Sequence, residues 1–390
     1  MRTVRKLRIG FASIEDASSV ASWSGIPLNV LRTLQKRHDV EVELISPLGT
    51  RFKWLYLPFK LWSKLTMKQF DWKREEWSLR HFASQIEGVF RTHELDVIFS
   101  TSSIPGTRLS PEFPYVFWTD ANFHSMQGYY SKNTSARTLK AGRRQEEAAL
   151  ARADFACYSS SWAAKGAKEF TDHERVKVLP FGPNLPIDHA RQDVETWIQE
   201  RRATRSKGCT LLFVGIGWER KGGAIAVEAA RQLNQEGIDA TLRVVGSTPS
   251  GPLPPFVELV GFLNKREPEG CRRLIDLYRT SDIFILPSRA EAFGVVVAEA
   301  AAFGLPALVC ETGGLTDTVR EGFSGFRIPL ADDGTMFAER AKSILGAYTL
   351  FAENAYTEFE NRLNWEKSVE HLVALMKSAV ERRHGSTKSA

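Results

Sequence analysis

Cysteine is scarce in this chain: only Cys157, Cys209, Cys271 and Cys310 occur in 390 residues. No pair has CxxC or zinc-finger spacing, which argues against a disulfide scaffold or a cysteine-based metal ribbon. Each lies in or beside an apolar segment, so buried free thiols in a reducing compartment are expected. Long hydrophobic runs are missing too, since no segment offers the roughly 18 consecutive apolar residues of a spanning helix. The N-terminus is basic, but Leu7–Ile14 is a short strand-like run without a cleavage site, so no secretory leader is expected. Also absent are the full dinucleotide fingerprint, the GxxxxGK[ST] phosphate loop and any nucleic-acid-binding signature. No metal-ligand cluster stands out.

What is present is an ordinary globular composition, 43% apolar and 25% charged, in a chain long enough for two domains. The net charge of +6 suits an anionic ligand or an anionic membrane surface.

The most informative stretch is Ser281–Gly314. Ile283–Leu286 is an apolar run closed by Pro287, and reads as a buried strand. A polar loop, Ser288–Phe293, leads into an Ala-rich apolar helix, Gly294–Phe303, which Gly304 and Pro306 stop. Ala307–Cys310 is a second strand, completing a βαβ unit of a parallel sheet. Two carboxylates interrupt this apolar unit: Glu291 just before the helix and Glu299 inside it. A charge in a buried helix is costly without a partner. Phe293-Gly294 leave free backbone N–H groups at the helix start, a natural anion site. Singly, Glu291 could merely favour the helix dipole and Glu299 could be exposed; together with the Gly and Pro punctuation they point to a ligand carrying hydroxyls and a diphosphate.

Taken in order, the chain alternates strands and helices throughout. Val4–Phe11 is a first strand, followed by a Ser/Gly/Ala-rich loop to Pro27 in which Gly25 is the candidate for close ligand approach, or only a turn residue. Arg51–Arg91 interleaves Arg51, Lys53, Lys60, Lys64, Lys68, Lys73, Arg74 and Arg80 with Trp54, Tyr56, Phe59, Trp62, Phe70, Trp72 and Trp77. Such interleaving suits helices in a membrane interface or a cleft for an acidic or lipid-linked acceptor; an amphipathic insertion packed on its own domain is the simpler alternative. Asp120 follows the strand Tyr115–Trp118, at the edge where parallel sheets bind ligands, and is the candidate to meet a reacting hydroxyl unless it only caps the next element. Pro180–Asn184 marks a linker, and Ile187–Gly208 reads as a surface helix with a connection. The second half restarts with the strand Cys209–Val214, then Gly215-Ile216-Gly217-Trp218-Glu219-Arg220-Lys221-Gly222-Gly223 and the helix Ala224–Glu236. Backbone N–H groups beside Arg220 and Lys221 suit a diphosphate, which the cations would neutralise without a metal; a solvated turn is the alternative. Trp365–Val380 is a last amphipathic helix, with a frayed polar tail, Glu381–Ala390.

The stretch from Glu291 through Phe293, Gly294 and Val295 to Glu299 resembles the E-x7-E motif of retaining glycosyltransferases with the GT-B fold, in the large group named family 4. IFILPS, GLPALVCETGGLTDTV, EGFSGFRIP, LLFVGIGWERKGG, VELVGFL and Asn364-Trp365-Glu366-Lys367 resemble the same family's segments. The likeness is specific over Cys209–Pro329 and looser before it. It implies an α/β protein of two Rossmann-like doubly wound parallel-sheet domains facing a cleft. Residues 1–184 would bind the acceptor and 185–364 the nucleotide sugar, with a final helix at 365–390 crossing back. By the same resemblance Lys221 binds the donor diphosphate, Glu299 the ribose and Glu291 the sugar. Phe293, Gly294 and Val295 offer backbone to phosphate and sugar, the base lies near Gly261 and Phe262, and Gly25 lies near the diphosphate. Two positions depart from the pattern. Ile216 stands where many members have Arg, which leaves Arg220 to supply that cation, and Asp120 stands where many have His.

The implied reaction is retaining, metal-independent transfer of a hexose from a UDP- or GDP-sugar to a hydroxyl acceptor, which could be a glycan, a lipid-linked group or a small molecule, as in polysaccharide biosynthesis. No cofactor is expected beyond the nucleoside-diphosphate sugar itself, and no nucleic acid partner. A cytoplasmic protein, peripheral on the membrane if the acceptor is membrane-bound, is expected. The rival readings are a non-catalytic nucleotide-sugar binder on the same fold, a phosphorylase or epimerase, and a membrane-surface scaffold built on residues 51–91.

Overall fold

The computed structural model describes residues 5–49, 56–204, 208–249 and 251–386, with side chains described as far as 383. Arg51, Lys53 and Trp54 therefore lie outside the described residues, as does the end of the polar tail. The chain forms two units, residues 1–179 with 368–390, and residues 180–367.

The first unit holds a parallel sheet of strands β1 (Leu7–Ala12), β2 (Val40–Ile45), β3 (Val97–Ser100), β4 (Tyr115–Thr119), β5 (Phe155–Tyr158) and β6 (Val176–Val178), in the order β2-β1-β3-β4-β5-β6. The second holds β7 (Cys209–Val214), β8 (Ala240–Val245), β9 (Val257–Gly261), β10 (Ile283–Leu286), β11 (Ala307–Cys310) and β12 (Gly325–Ile328), ordered β12-β11-β10-β7-β8-β9. Each is a doubly wound sheet with one point where the strand order reverses: between β1 and β3 in the first unit, between β7 and β10 in the second. A crevice for a ligand forms at the carboxyl ends of the strands flanking such a reversal. The central strands β3, β4, β5, β10 and β11 are buried along their whole length, as strands covered by helices on both faces must be.

The strands expected at Cys209–Val214, Ile283–Leu286 and Ala307–Cys310 have those bounds, whereas the first, expected at Val4–Phe11, runs Leu7–Ala12, with Val4 outside the described residues. Helices differ more. The helix expected at Arg143–Ala151 runs Ala136–Arg152, because the Ser135 hydroxyl caps it by accepting the Thr138 N–H at 3.2 Å. The helix expected within Ile187–Gly208 runs Arg191–Thr204; most of it faces solvent, but one face buries Val194, Ile198 and, unexpectedly, the charged Arg201. The buried Arg201 donates to the carbonyls of Phe303 (3.1 Å) and Gly304 (3.2 Å), just past the end of the apolar helix Val295–Ala302, and to that of Ser281 (3.2 Å), just past the helix Pro268–Thr280. That contact anchors the helix whose other end belongs to the candidate site.

The last helix runs Trp365–Ser386, well past the expected end at Val380. Its basic residues find partners on the first unit: Arg383 pairs with Asp154 at 2.7 Å, and Arg382 lies over the Phe155 ring at 4.7 Å. All four cysteines are free thiols; three are buried, but Cys271 is only partly covered, contrary to expectation, because it sits in the first turn of the surface helix Pro268–Thr280.

Residues 57–92 split into two helices of opposite character. Glu76–Thr92 buries Leu79, Phe82, Ala83 and Ile86, as a helix packed on its own domain should. Leu57–Thr66 buries no side chain at all. Most aromatics of this region pack on one another: Tyr56 stacks on Trp77 at 4.9 Å and Phe59 on Phe70 at 5.3 Å. Among the described residues, no helix is long and apolar enough to cross a membrane.

Candidate functional site

In the second unit the sheet reversal brings the β7 and β10 loops side by side. Gly215 ends β7, and an added Cβ there would lie only 3.2–3.3 Å from the Lys221 aliphatic stem. Absence of a side chain at this point is what lets Lys221 fold back into the buried space. Gly222, with φ +75, turns the chain sharply into the helix Gly223–Gln235; its Cβ would stand 2.1 Å from the Pro287 carbonyl oxygen. The two loops are thus pressed together at a point only glycine fits. A further hydrogen bond, Arg289 N–H to the Arg220 carbonyl at 2.8 Å, ties them.

At this junction three predicted residues meet. The Lys221 ammonium bonds Glu291 Oε2, and the Arg220 guanidinium lies 3.5 Å from the same oxygen. Arg220 also donates to the carbonyls of Ala290 (3.0 Å) and Ile216 (3.4 Å). Its cation therefore sits against the backbone of position 216, where an arginine was missing from the sequence pattern. Ile216 itself is exposed. The Glu291 backbone carbonyl accepts from Gly314 N–H at 3.0 Å, which holds the loop against the turn after β11.

Phe293 is buried and meets Phe181 edge-on at 5.4 Å. Gly294, with φ +90, starts the helix Val295–Ala302, with no side chain capping its first N–H groups. Such a helix start is suited to an anion. Gly261 ends β9 and the exposed Phe262 follows it; the Gly261 carbonyl accepts from Gly246 N–H at 2.9 Å.

Glu299 is completely buried, and its charge is compensated within the unit. Oε1 accepts from Lys265 Nζ at 2.5 Å and from the Asn184 N–H at 3.2 Å, while Oε2 accepts from the Tyr278 hydroxyl at 2.9 Å. Burial, and then the Glu299 charge, push the Tyr278 pKa well above its usual value, so it stays a neutral donor. Sequence reasoning did not find Lys265, Tyr278 or Asn184; nothing in their local sequence marks them, because each reaches Glu299 only through the tertiary fold.

The first unit carries its own concavity, about 750 Å³, at the reversal between β1 and β3. Ser13 and Ile14 beyond β1, Thr101 and Ser102 beyond β3, and Asp120 and Asn122 beyond β4 contribute to its wall. Asp120 is half-buried there. At the wall lies a buried polar network: Glu146 accepts from Ser103 at 2.8 Å and pairs with Arg74 at 3.6 Å, and Gln145 donates to Thr107 at 3.0 Å. Gly25, with φ +87, starts the helix Ile26–Gln35, and the two residues before it, Trp23 (φ +43) and Ser24 (φ +57), are also left-handed. Non-glycine residues held in that region store strain, which concentrates at ligand-binding loops; Ser22 and Trp23 line the same cavity. Among the described residues, no three His, Cys, Asp or Glu side chains are grouped as a metal site would group them.

Residues 208–347 match the model of the family described as Glycosyl transferases group 1. The chain is 28% identical over 266 residues to a D-inositol 3-phosphate glycosyltransferase of Geodermatophilus obscurus, covering 63% of this chain and 57% of that protein. It is 29% identical over 234 residues to one of Acidothermus cellulolyticus, covering 55% and 51%. The chain thus spans about half the length of the curated relatives it matches. Among solved structures it is similar to sucrose-phosphate synthase from Thermosynechococcus elongatus, with TM-score 0.66 at 17% identity over 96% of this chain and 99% of that one. It is also similar to Anabaena HepE in complex with UDP and glucose, with TM-score 0.61 at 16% identity over 95% and 100%. These likenesses give the fold, two Rossmann-like parallel-sheet domains of the GT-B class.

Proposed function

We propose that this protein, whose residues 208–347 match the glycosyl transferases group 1 model, moves a hexose from a nucleoside-diphosphate sugar to a hydroxyl acceptor with retention of configuration. The observation that carries the reading is the buried junction of Lys221, Arg220 and Glu291 at the sheet reversal of the second unit. Two cations and a free helix start converge there, around a carboxylate able to accept from a sugar hydroxyl. HepE has been solved in complexes with UDP and with UDP-glucose, which makes a UDP-sugar the first donor to test.

In this reading the bond from the anomeric carbon to the leaving diphosphate oxygen breaks through an oxocarbenium-like state. Negative charge grows on the diphosphate, and Lys221, Arg220 and the N–H groups at Gly294 and Val295 stabilise it where it develops. Glu291 orients the sugar. Glu299 exchanges its part-exposed partner Lys265 for a ribose hydroxyl, and the base lies against Gly261 and Phe262. The acceptor oxygen bonds to the anomeric carbon on the face the diphosphate leaves, and its proton passes to a leaving phosphate oxygen, so no protein base and no metal is required. The acceptor occupies the cavity of the first unit, with Asp120 facing its hydroxyl and the Gly25 loop shaping the wall.

The test is a thermal-shift panel of UDP-, GDP- and ADP-sugars, since a ligand that binds only the native state raises the melting temperature. Product analysis with hydroxyl acceptors and EDTA follows. One nucleotide class should shift the transition, turnover should persist in EDTA, and Lys221→Ala should abolish it. Full transfer by Lys221→Ala would sink the assignment; binding without turnover would favour a non-catalytic binder, and sugar conversion without an acceptor an epimerase.

A further inference from the structure

The helix Leu57–Thr66 is amphipathic in the wrong sense for a soluble domain. Leu57, Leu61, Trp62, Leu65 and the adjoining Met67 are each between 48% and 80% exposed. Leu57, Leu61 and Leu65 recur every four residues and so form one stripe. The opposite face holds the helix to the unit: the Phe59 ring stacks on Phe70 at 5.3 Å and lies under the Arg137 guanidinium at 4.3 Å, and Ser63 lines the first unit's cavity. The outward orientation is therefore fixed by specific contacts. A continuous exposed apolar stripe marks a surface with a partner.

Charge says which partner. From Leu57 to Phe70 there is no acidic residue, while Lys60, Lys64 and Lys68 are all exposed. Lys60 and Lys64 lie along one flank of the leucine stripe and Trp62 along the other. Leucines inward, lysines whose stems can snorkel, and tryptophan at the margin are what a helix lying in a lipid headgroup region requires. Anionic lipid supplies the complementary charge. A second copy of the chain offers no such complement, since the patch would face its own lysines.

We propose that Leu57–Thr66 docks this protein on an anionic bilayer surface, with Leu57, Leu61 and Leu65 in the acyl boundary and Lys60 and Lys64 at the headgroups. The proposal goes beyond sugar transfer and is tested without any nucleotide sugar.

The experiment is co-sedimentation of the full chain with vesicles of phosphatidylcholine alone or mixed with phosphatidylglycerol. The unmodified protein should partition onto the mixed vesicles and far less onto the neutral ones. Leu61→Glu/Leu65→Glu should lower that partitioning more than tenfold, while its melting temperature stays unchanged because both side chains are already in water. Lys60→Gln and Lys64→Gln should each lower it about fivefold and flatten its dependence on salt. Failure of the unmodified protein to bind mixed vesicles would overturn the proposal, as would equal binding by the double-Glu variant. A concentration-dependent dimer that the same variant abolishes would overturn it in favour of self-association.

Discussion

Lys221 and Glu291 offer the sharpest separation of folding from function. Their side chains are only 9% and 12% exposed. Removing one partner leaves a buried charge without compensation, which costs about 3–5 kcal/mol. For Lys221→Met the lower end applies, because Arg220, 3.5 Å from Glu291, takes over part of the compensation. A loss of about 3 kcal/mol lowers the melting temperature of a unit of this size by about 6–12 °C. Glu291→Gln strands Lys221 instead and should cost a similar amount. The double variant removes both charges, and Arg220 keeps its two backbone carbonyl partners. Its loss should fall short of the sum of the two single losses by about 2–3 kcal/mol. Activity should not follow. If Lys221 stabilises the leaving diphosphate, each variant lacking it loses about 10²–10³ in kcat, the refolded double variant included. Urea titration of the four proteins, with initial rates on the same preparations, closes the cycle. A double-variant loss equal to the sum of the single losses refutes the buried-pair argument; a double variant that keeps full transfer refutes the catalytic one.

Tyr278→Phe deletes the hydroxyl that bonds the buried Glu299 carboxylate, and should cost about 1.5–3 kcal/mol, read as a lower urea midpoint at unchanged slope. Gly222→Ala forces a left-handed residue and a Cβ against the Pro287 carbonyl, and should cost about 2 kcal/mol or more; Gly237→Ala has a similar φ but open space, so the difference between their melting temperatures measures the clash. Asp39 accepts from Arg37 at 2.9 Å and from Lys377 at 2.8 Å, and the Arg37 bond, followed by that of Lys377, holds its carboxyl well below the usual aspartate range. A depressed carboxyl stabilises the fold above the unfolded-state value and loses that stabilisation as pH falls through the folded one. The melting temperature of Asp39→Asn should therefore lie below that of the unmodified chain at pH 7, with the gap shrinking below about pH 3.9.

Apolar runs closed by proline or glycine were enough to locate β7, β10 and β11, since a strand buried on both faces needs a short continuous apolar segment and little else. The Gly-rich loop with Arg220 and Lys221, and the pair Glu291 and Glu299, were equally visible, because a phosphate-binding turn demands glycine at set positions and a carboxylate inside an apolar helix stands out. The partners of those groups were not visible. Lys221 meets Glu291 only because two loops adjoin at a sheet reversal. Lys265, Tyr278 and the Asn184 N–H reach Glu299 from separate loops and helices, and Arg201, read as part of a surface helix, turned out to be wholly buried beneath the end of the apolar helix. Composition alone left Arg51–Arg91 undecided between a packed insertion and a membrane surface, and its described part holds the helices Leu57–Thr66 and Glu76–Thr92. Both are rich in apolar residues, and only packing decided that Glu76–Thr92 turns its leucine and phenylalanine inward while Leu57–Thr66 turns its leucines out. Local sequence determines where a strand or a turn must fall, because those depend on neighbouring residues. Which charge neutralises which, and which face meets water, depends on contacts between segments far apart in the chain, and these exist only once the sheets have formed.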